Sequence, residues 1–264
     1  MGEGLARFGW SASGGGCLTN PSSIIGGAVV ASVRFVPPAW KQCWAALALT
    51  ALALWAALAG AAIAWPLALA LALIARGGLW RMALDRGEAG PGGLQVGPVE
   101  ARLLATWLLA MLFLAILALL LTTALLCLTF AVATAGRGFR IDEPASWAGA
   151  IRPGGRIVQS FAILAAGIGL VFAAARISLA EPAGVVGGKV QLLAAWPLTR
   201  GHALPIAIGN LAVAIAPVAA GAWCLTGARV VAPLVLAAIG AWLWLPMQVG
   251  LMAYFFQVLP APER

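Results

Sequence analysis

From Trp40 onward the chain alternates between long apolar runs and short stretches rich in Arg, Gly and Pro. The runs lack the strict alternation of a barrel strand, and several reach the roughly 20 residues, at about 1.5 Å each, that a helix needs to cross a bilayer. Hydrocarbon offers the backbone no hydrogen-bond partner, so the pattern predicts helices. Residues 40–84 are almost wholly apolar and fit two short crossings turning near residues 60–66, with Trp65 at the far interface and Pro66 opening the second helix. The third crossing starts near Glu100 and Arg102 and runs to Thr134, long enough that it must tilt or project. The fourth covers Ile157 to about Ala175, where Ala165, Gly169 and Ala173 recur every fourth residue and permit close helix contact. The fifth runs from His202 to Leu225, with a kink predicted at Pro217, and the sixth from Val230 to Val258.

The flanking stretches complete the expected architecture. Residues 1–19 carry no apolar core of the 7–15 residues, roughly, that a secretory signal needs, and are expected to be a retained flexible tail. In residues 20–39, Asn20-Pro21 caps a helix whose Ile25, Val29, Val33 and Val36 share one face. This piece is too short to cross, so an interfacial helix ended by Pro37-Pro38 is expected. The threonines of the third crossing should return their hydroxyls to carbonyls one turn back. Residues 85–98 form a Gly/Pro loop. Residues 176–201 read as an interfacial connector: Pro182 and Pro197 turn corners, and Val185, Val190, Leu192, Leu193 and Trp196 enter the membrane surface. The expected fold class is therefore an all-α polytopic membrane bundle of about six crossings over residues 40–264, with an N-terminal interfacial helix and a cytoplasmic interfacial connector.

Composition agrees. With 63% hydrophobic residues, 9% charged residues and a mean hydropathy of +1.00, no water-soluble surface could be built. The net charge of +8 lies in short connections, which points to topogenic charge and anionic headgroups and away from nucleic acid. With six crossings, Arg137, Arg140, Arg152, Arg156 and Arg229 fall outside, and the other eleven of the sixteen Lys and Arg fall inside. The bias predicts that both termini are cytoplasmic. If residues 40–84 crossed only once, everything after them would invert. Arg76 lies inside the second span, where it either snorkels to headgroup level or marks an early end at Gly77-Gly78. The four cysteines occur singly and suit small buried positions better than a disulfide framework.

The chemistry expected is correspondingly sparse. All eight acidic residues fall in tails, loops or span ends, where they could not serve proton- or sodium-coupled transport. His202, the lone histidine, reads as an interfacial helix-start residue, and Ser160 and Ser178 lack an activating partner. The Gly-Gly-Gly and Gly-Pro-Gly-Gly runs have no phosphate-binding context. No catalytic residue, cofactor site or metal set is assigned. Arg76, Arg81, Arg102, Arg176 and Arg200 are expected to gather at one face and hold anionic lipid headgroups, with Trp40, Trp80 and Trp196 as interfacial anchors.

Two patches carry a family likeness. One is Gly78-Leu79-Trp80-Arg81-Met82-Ala83-Leu84 with Glu100-Ala101-Arg102-Leu103-Leu104; the other is Arg176-Ile177-Ser178-Leu179-Ala180-Glu181-Pro182 with Ala195-Trp196-Pro197-Leu198-Thr199-Arg200-Gly201. Both resemble the six-span bacterial membrane proteins of the YciC-like group and the membrane domains attached to some glycerophosphodiester phosphodiesterases. The resemblance implies the six-span fold and a cytoplasmic connector. It implies no catalysis, because no phosphodiesterase domain accompanies the span region, and Pro197 departs from the group's Trp-x-Leu-Thr-Arg-Gly ending. The function expected is that of a non-enzymatic scaffold or accessory subunit whose partners are anionic membrane lipids and other membrane subunits. The alternative is lipid handling or small-solute transport through a cavity lined by Asn210, Gln248 and Gln257.

Overall fold

A computed structural model describes residues 21–85, 90–134, 140–143, 146, 151–190, 192–193, 195–226 and 231–259. The expected tail at 1–19, Arg137, the turn at Gly227–Arg229 and the C-terminal residues 260–264 lie outside them. Every regular element among the described residues is helical, and six helices are long and apolar enough to cross a membrane. The chain is a multi-pass α-helical membrane protein.

The first helix departs from expectation. α1 spans Pro21–Leu58 with Pro37 and Pro38 inside it, so the prolines do not end an interfacial helix; the backbone leaves helical geometry six residues after Pro37, at Cys43 (φ −112°, ψ 20°). A proline removes one intrahelical donor, but packing can hold the two halves together. Here Ala28, Ala31, Phe35, Ala39, Cys43, Ala46 and Leu47 form one buried face running through both prolines and the kink. The kink has a visible partner. Pro91–Gly93 forms a single tight helical turn against it, and a methyl on Gly93 would come within 2.9 Å of Cys43 Cα. Only glycine suits this close approach, since Gly92 and Gly93 also hold φ of +61° and +82°.

α2 (Ala64–Ala83) returns antiparallel to α1, so residues 40–84 do turn once, at 59–63. α3 covers Pro98–Thr134 and α4 covers Pro153–Ile177. The connector is two short helices, α5 (Ala180–Gly187) and α6 (Ala195–Leu198), with Gly188 in left-handed geometry at the end of α5. Pro182 and Pro197 both lie in first turns, where a missing N–H does no harm, so neither acts as a corner by breaking a helix. α7 is Ala203–Thr226, with Pro217 inside it. The last crossing has three parts: α8 (Ala232–Ala238), a π-helical stretch at Ile239–Trp244, and α9 (Leu245–Val258).

The chain divides into two compact units, Met1–Trp107 with Ala175–Arg264, and Leu108–Ala174. In the first unit α1 is the spine, packed by α2, α7 and the whole last crossing. The last crossing runs antiparallel to α1. Gly27 meets Tyr254, Gly250 lets Phe35 approach, and Gly240 lies beside Leu54. The π-helical stretch has a local cause. Pro246 has no N–H for the carbonyl of Trp242 four residues back, and the widened turn gives its ring room. That carbonyl instead accepts the indole Nε1–H of Trp40 at 2.6 Å, with the two rings edge to face at 6.3 Å.

The second unit comprises α3 from Leu108 onward and α4 up to Ala174. Ala133 and Ile151 are buried with Val132 against them, and Gln159 Nε2 donates to Thr129 Oγ1 at 3.0 Å. Thr123, Thr129 and Thr134 return their hydroxyls to the carbonyls of Leu119, Leu125 and Ala131, as expected. Gly169, expected at a close helix contact, has nothing within 4 Å of where a side chain would start, so that contact is absent among the described residues.

Candidate functional site

The last two turns of α2 gather most of the charge that the first unit buries. Arg76, Trp80 and Ala83 follow one another at helical spacing on one face, while Gly77 and Arg81 occupy the adjacent face. On the first face Arg76 Nε donates to Glu181 Oε2 at 2.7 Å, and the indole Nε1–H of Trp80 donates to the same oxygen at 3.1 Å. Arg76 Nη1 also donates to Gln248 Oε1 at 3.3 Å. Glu181 lies in the first turn of α5, where the partial positive charge of unpaired N–H groups favours a carboxylate. One turn further along α2, Gln257 Nε2 donates to the carbonyl of Ala83 at 3.2 Å and so satisfies a group at the helix end. Three elements, α2, α5 and α9, are thus joined through side chains.

On the second face Arg81 Nη1 lies 2.6 Å from Glu100 Oε1, and Nη2 donates to the carbonyl of Gln95 at 3.5 Å. Both side chains are nearly fully buried, 7% and 6% exposed. Gly77 makes room for Glu100, since any side chain there would overlap the carboxylate. This pair fixes the end of α2 to the first turn of α3. Arg81 Nε and Glu100 Oε2 have no hydrogen-bond partner, so the pair recovers only part of its desolvation cost, and its main effect is to define which helix ends meet.

The connector carries a second constellation. Arg176 lies over the Trp196 ring at 5.3 Å from its centre and donates from Nη1 to the Trp196 carbonyl at 3.1 Å. The Thr199 hydroxyl, fully buried, donates to the carbonyls of Ala195 and Trp196 at 3.1 Å and reaches that of Arg176 at 3.4 Å. The two ends of the connector are therefore closed on each other. Its apolar residues divide: Val185 and Leu192 are buried, while Val190, Leu193 and Trp196 face outward.

The sequence-derived site residues are redistributed. Arg76 and Arg81 come together on α2 but face carboxylates, and Arg176 faces Trp196. Arg102 is half-buried beside Gly188 in the same unit, and Arg200 is exposed. Trp40 and Trp196 are exposed, whereas Trp80 is fully buried and donates inward to Glu181. Its place in the apolar pattern was that of an interfacial indole; the carboxylate that draws it inward lies 101 residues away. Glu100 was expected at the start of the third crossing and Glu181 in the connector, and they stand there, but as ion-pair partners. His202 is half-buried and its Nδ1 lies 3.2 Å from the Arg200 carbonyl. Among the described residues no group of three His, Cys, Asp or Glu is arranged to hold a metal ion. Of the polar residues expected to line a cavity, Asn210 donates to Ile206 one turn back, Gln248 accepts from Arg76 and Gln257 donates to Ala83. No known protein family, curated protein or solved structure matches the chain.

Proposed function

We propose that the chain is a non-enzymatic scaffold or accessory subunit of a larger membrane assembly, held in the bacterial inner membrane with both termini cytoplasmic. The observation that carries this reading is the closure of the α2 cluster. Arg76, Trp80, Glu181 and Gln248 answer one another, Arg81 answers Glu100, and the groups that could line a transport path are engaged with protein. Ion pairs of this kind favour a defined arrangement of helix ends. The orientation is supported by the basic bias across the six crossings. The second unit adds surface for neighbours, because the most apolar stretch of its long helix is 0% buried within the chain, against 56% for α2.

The test is isolation of the full chain in mild detergent followed by mass measurement of the intact particle. A defined stoichiometry with another membrane protein, lost when photo-crosslinker positions along residues 108–134 are blocked by bulky substitution, is expected. A particle holding the chain with bound lipid or solute alone would overturn the subunit reading in favour of lipid handling.

A further inference from the structure

Three of the five arginines expected to hold lipid are engaged within the protein. Arg76 and Arg81 are committed to Glu181 and Glu100, and Arg176 to Trp196. Arg34 and Lys41 on α1 are both exposed, and neither forms an ion pair with a described residue. Seven residues apart on a helix, they point within about 20° of each other. Beside them on the same outward side are Val30, Val33, Trp40 and Trp44, with Trp40 44% and Trp44 58% exposed. The opposite side of this helix is the buried face through Ala28, Phe35, Ala39 and Cys43.

Position along the helix selects the partner. Measured from the turn after Leu58 at about 1.5 Å per residue, Trp44 lies about 22 Å along α1, at the kink, and Lys41, Trp40 and Arg34 follow on the far side of it. A hydrocarbon core of about 30 Å is followed on each side by a headgroup layer of roughly 5–7 Å. With the far turn at one surface, Trp44 falls inside the opposite boundary, and the segment carrying Lys41, Trp40 and Arg34 continues from there toward its headgroup layer. Placing Arg34 and Lys41 within hydrocarbon instead would cost about 2.5–3.5 kcal/mol for each. The kink at Cys43 separates the segment that carries both cations from the rest of the crossing.

We propose that Arg34 and Lys41, with Trp40 and Trp44 beside them, form a binding site for the phosphate of an anionic phospholipid headgroup. The two cations meet the phosphate and the net charge of the lipid, and the indoles pack at the glycerol level. The site is independent of the subunit reading.

Titration of the full chain in detergent with phosphatidylglycerol or phosphatidylcholine, followed by native mass spectrometry, tests it. Phosphatidylglycerol should bind more tightly than phosphatidylcholine. Arg34→Gln with Lys41→Gln should weaken phosphatidylglycerol about 25-fold, at about fivefold per near-surface charge. Arg34→Lys with Lys41→Arg should retain most of the affinity, and Arg102→Gln with Arg200→Gln should leave it unchanged. Both Gln substitutions are at exposed positions, and unchanged helical content by circular dichroism confirms the fold. Undiminished phosphatidylglycerol affinity in the folded Gln pair, or equal affinity of the parent for the two lipids, overturns the proposal. Displacement of the lipid by millimolar inorganic phosphate would overturn the lipid as ligand and leave a free-phosphate site.

Discussion

The two units of this chain are both built from helices apolar enough to cross a membrane but hold themselves together differently. In the first, helix ends are joined by charged and indole side chains, and glycines bring backbones close at Gly93 against Cys43 and Gly250 against Phe35. In the second, α3 and α4 share the Gln159–Thr129 hydrogen bond and a small apolar contact at Ala133 and Ile151. Lipid is as apolar as leucine, so an apolar surface does not by itself drive helices together in a membrane; close packing and polar ties do. The first unit has both in number, and the second leaves its leucines and phenylalanines outward. Apolarity places a helix in the membrane, and the sparse polar and small residues decide its neighbours.

The sharpest way to break this comparison is at the buried pair. Glu100→Ala strands Arg81 and should destabilise the first unit by about 3–5 kcal/mol, read by thermal unfolding in detergent. Replacing both partners, Arg81→Met with Glu100→Leu, should recover most of that loss; if it does not, the pair stabilises by more than defining which ends meet. Next in size is Gly93→Val. A β-branched residue at φ +82° facing Cys43 should cost about 2–3 kcal/mol and raise the reactivity of Cys43 toward a small maleimide, since the turn that covers it is displaced. A silent Gly93→Val would mean that the turn does not hold the kink.

A smaller effect belongs to the indole that serves Pro246. Trp40→Phe keeps a ring but removes the donor to the Trp242 carbonyl, and should cost about 1 kcal/mol in unfolding experiments. In a Pro246→Ala background the helix supplies its own N–H, so Trp40→Phe should there be close to neutral; equal costs in both backgrounds would separate the indole from the proline. The smallest effect is expected in the second unit. Gln159→Leu should change stability by about 0.6 kcal/mol, the average for such bonds between membrane helices. A loss several times larger would show that the second unit also depends on polar ties.

How much of this was legible in the sequence follows from the same division. The six crossings were readable because about 20 apolar residues must be a crossing whatever surrounds them. The turn within residues 40–84 was readable too, from its length and from Trp65-Pro66. The threonines behaved as their own chemistry requires, because each finds its acceptor one turn away. Pro37-Pro38 misled because a proline's local cost is visible in sequence while the buried face that outweighs it, Phe35 through Ala39 to Cys43, looks like any apolar face. Trp80 misled similarly: an indole near an arginine at a span end suits an interface as well as a carboxylate from elsewhere. Arg76 raised the right question, but its answers, Glu181 and Gln248, are distant in sequence and unmarked by spacing. The Gly-Pro-Gly-Gly run carried a readable signal of close backbone approach, with nothing to indicate that Cys43 was its target.

The α2 cluster also imposes an order on biosynthesis. Arg76 is followed by Glu181 105 residues later and by Gln248 172 residues later. At about 5–20 residues per second, the carboxylate arrives roughly 5–20 s after the arginine and the amide roughly 9–35 s after it. Arg81 waits far less, since Glu100 follows within about 1–4 s at the same rate. During the longer interval α2 is a membrane helix whose guanidinium must be held by headgroups, by water or by the insertion machinery. A nascent chain halted before residue 181 therefore presents Arg76 without the carboxylate that meets it in the finished protein.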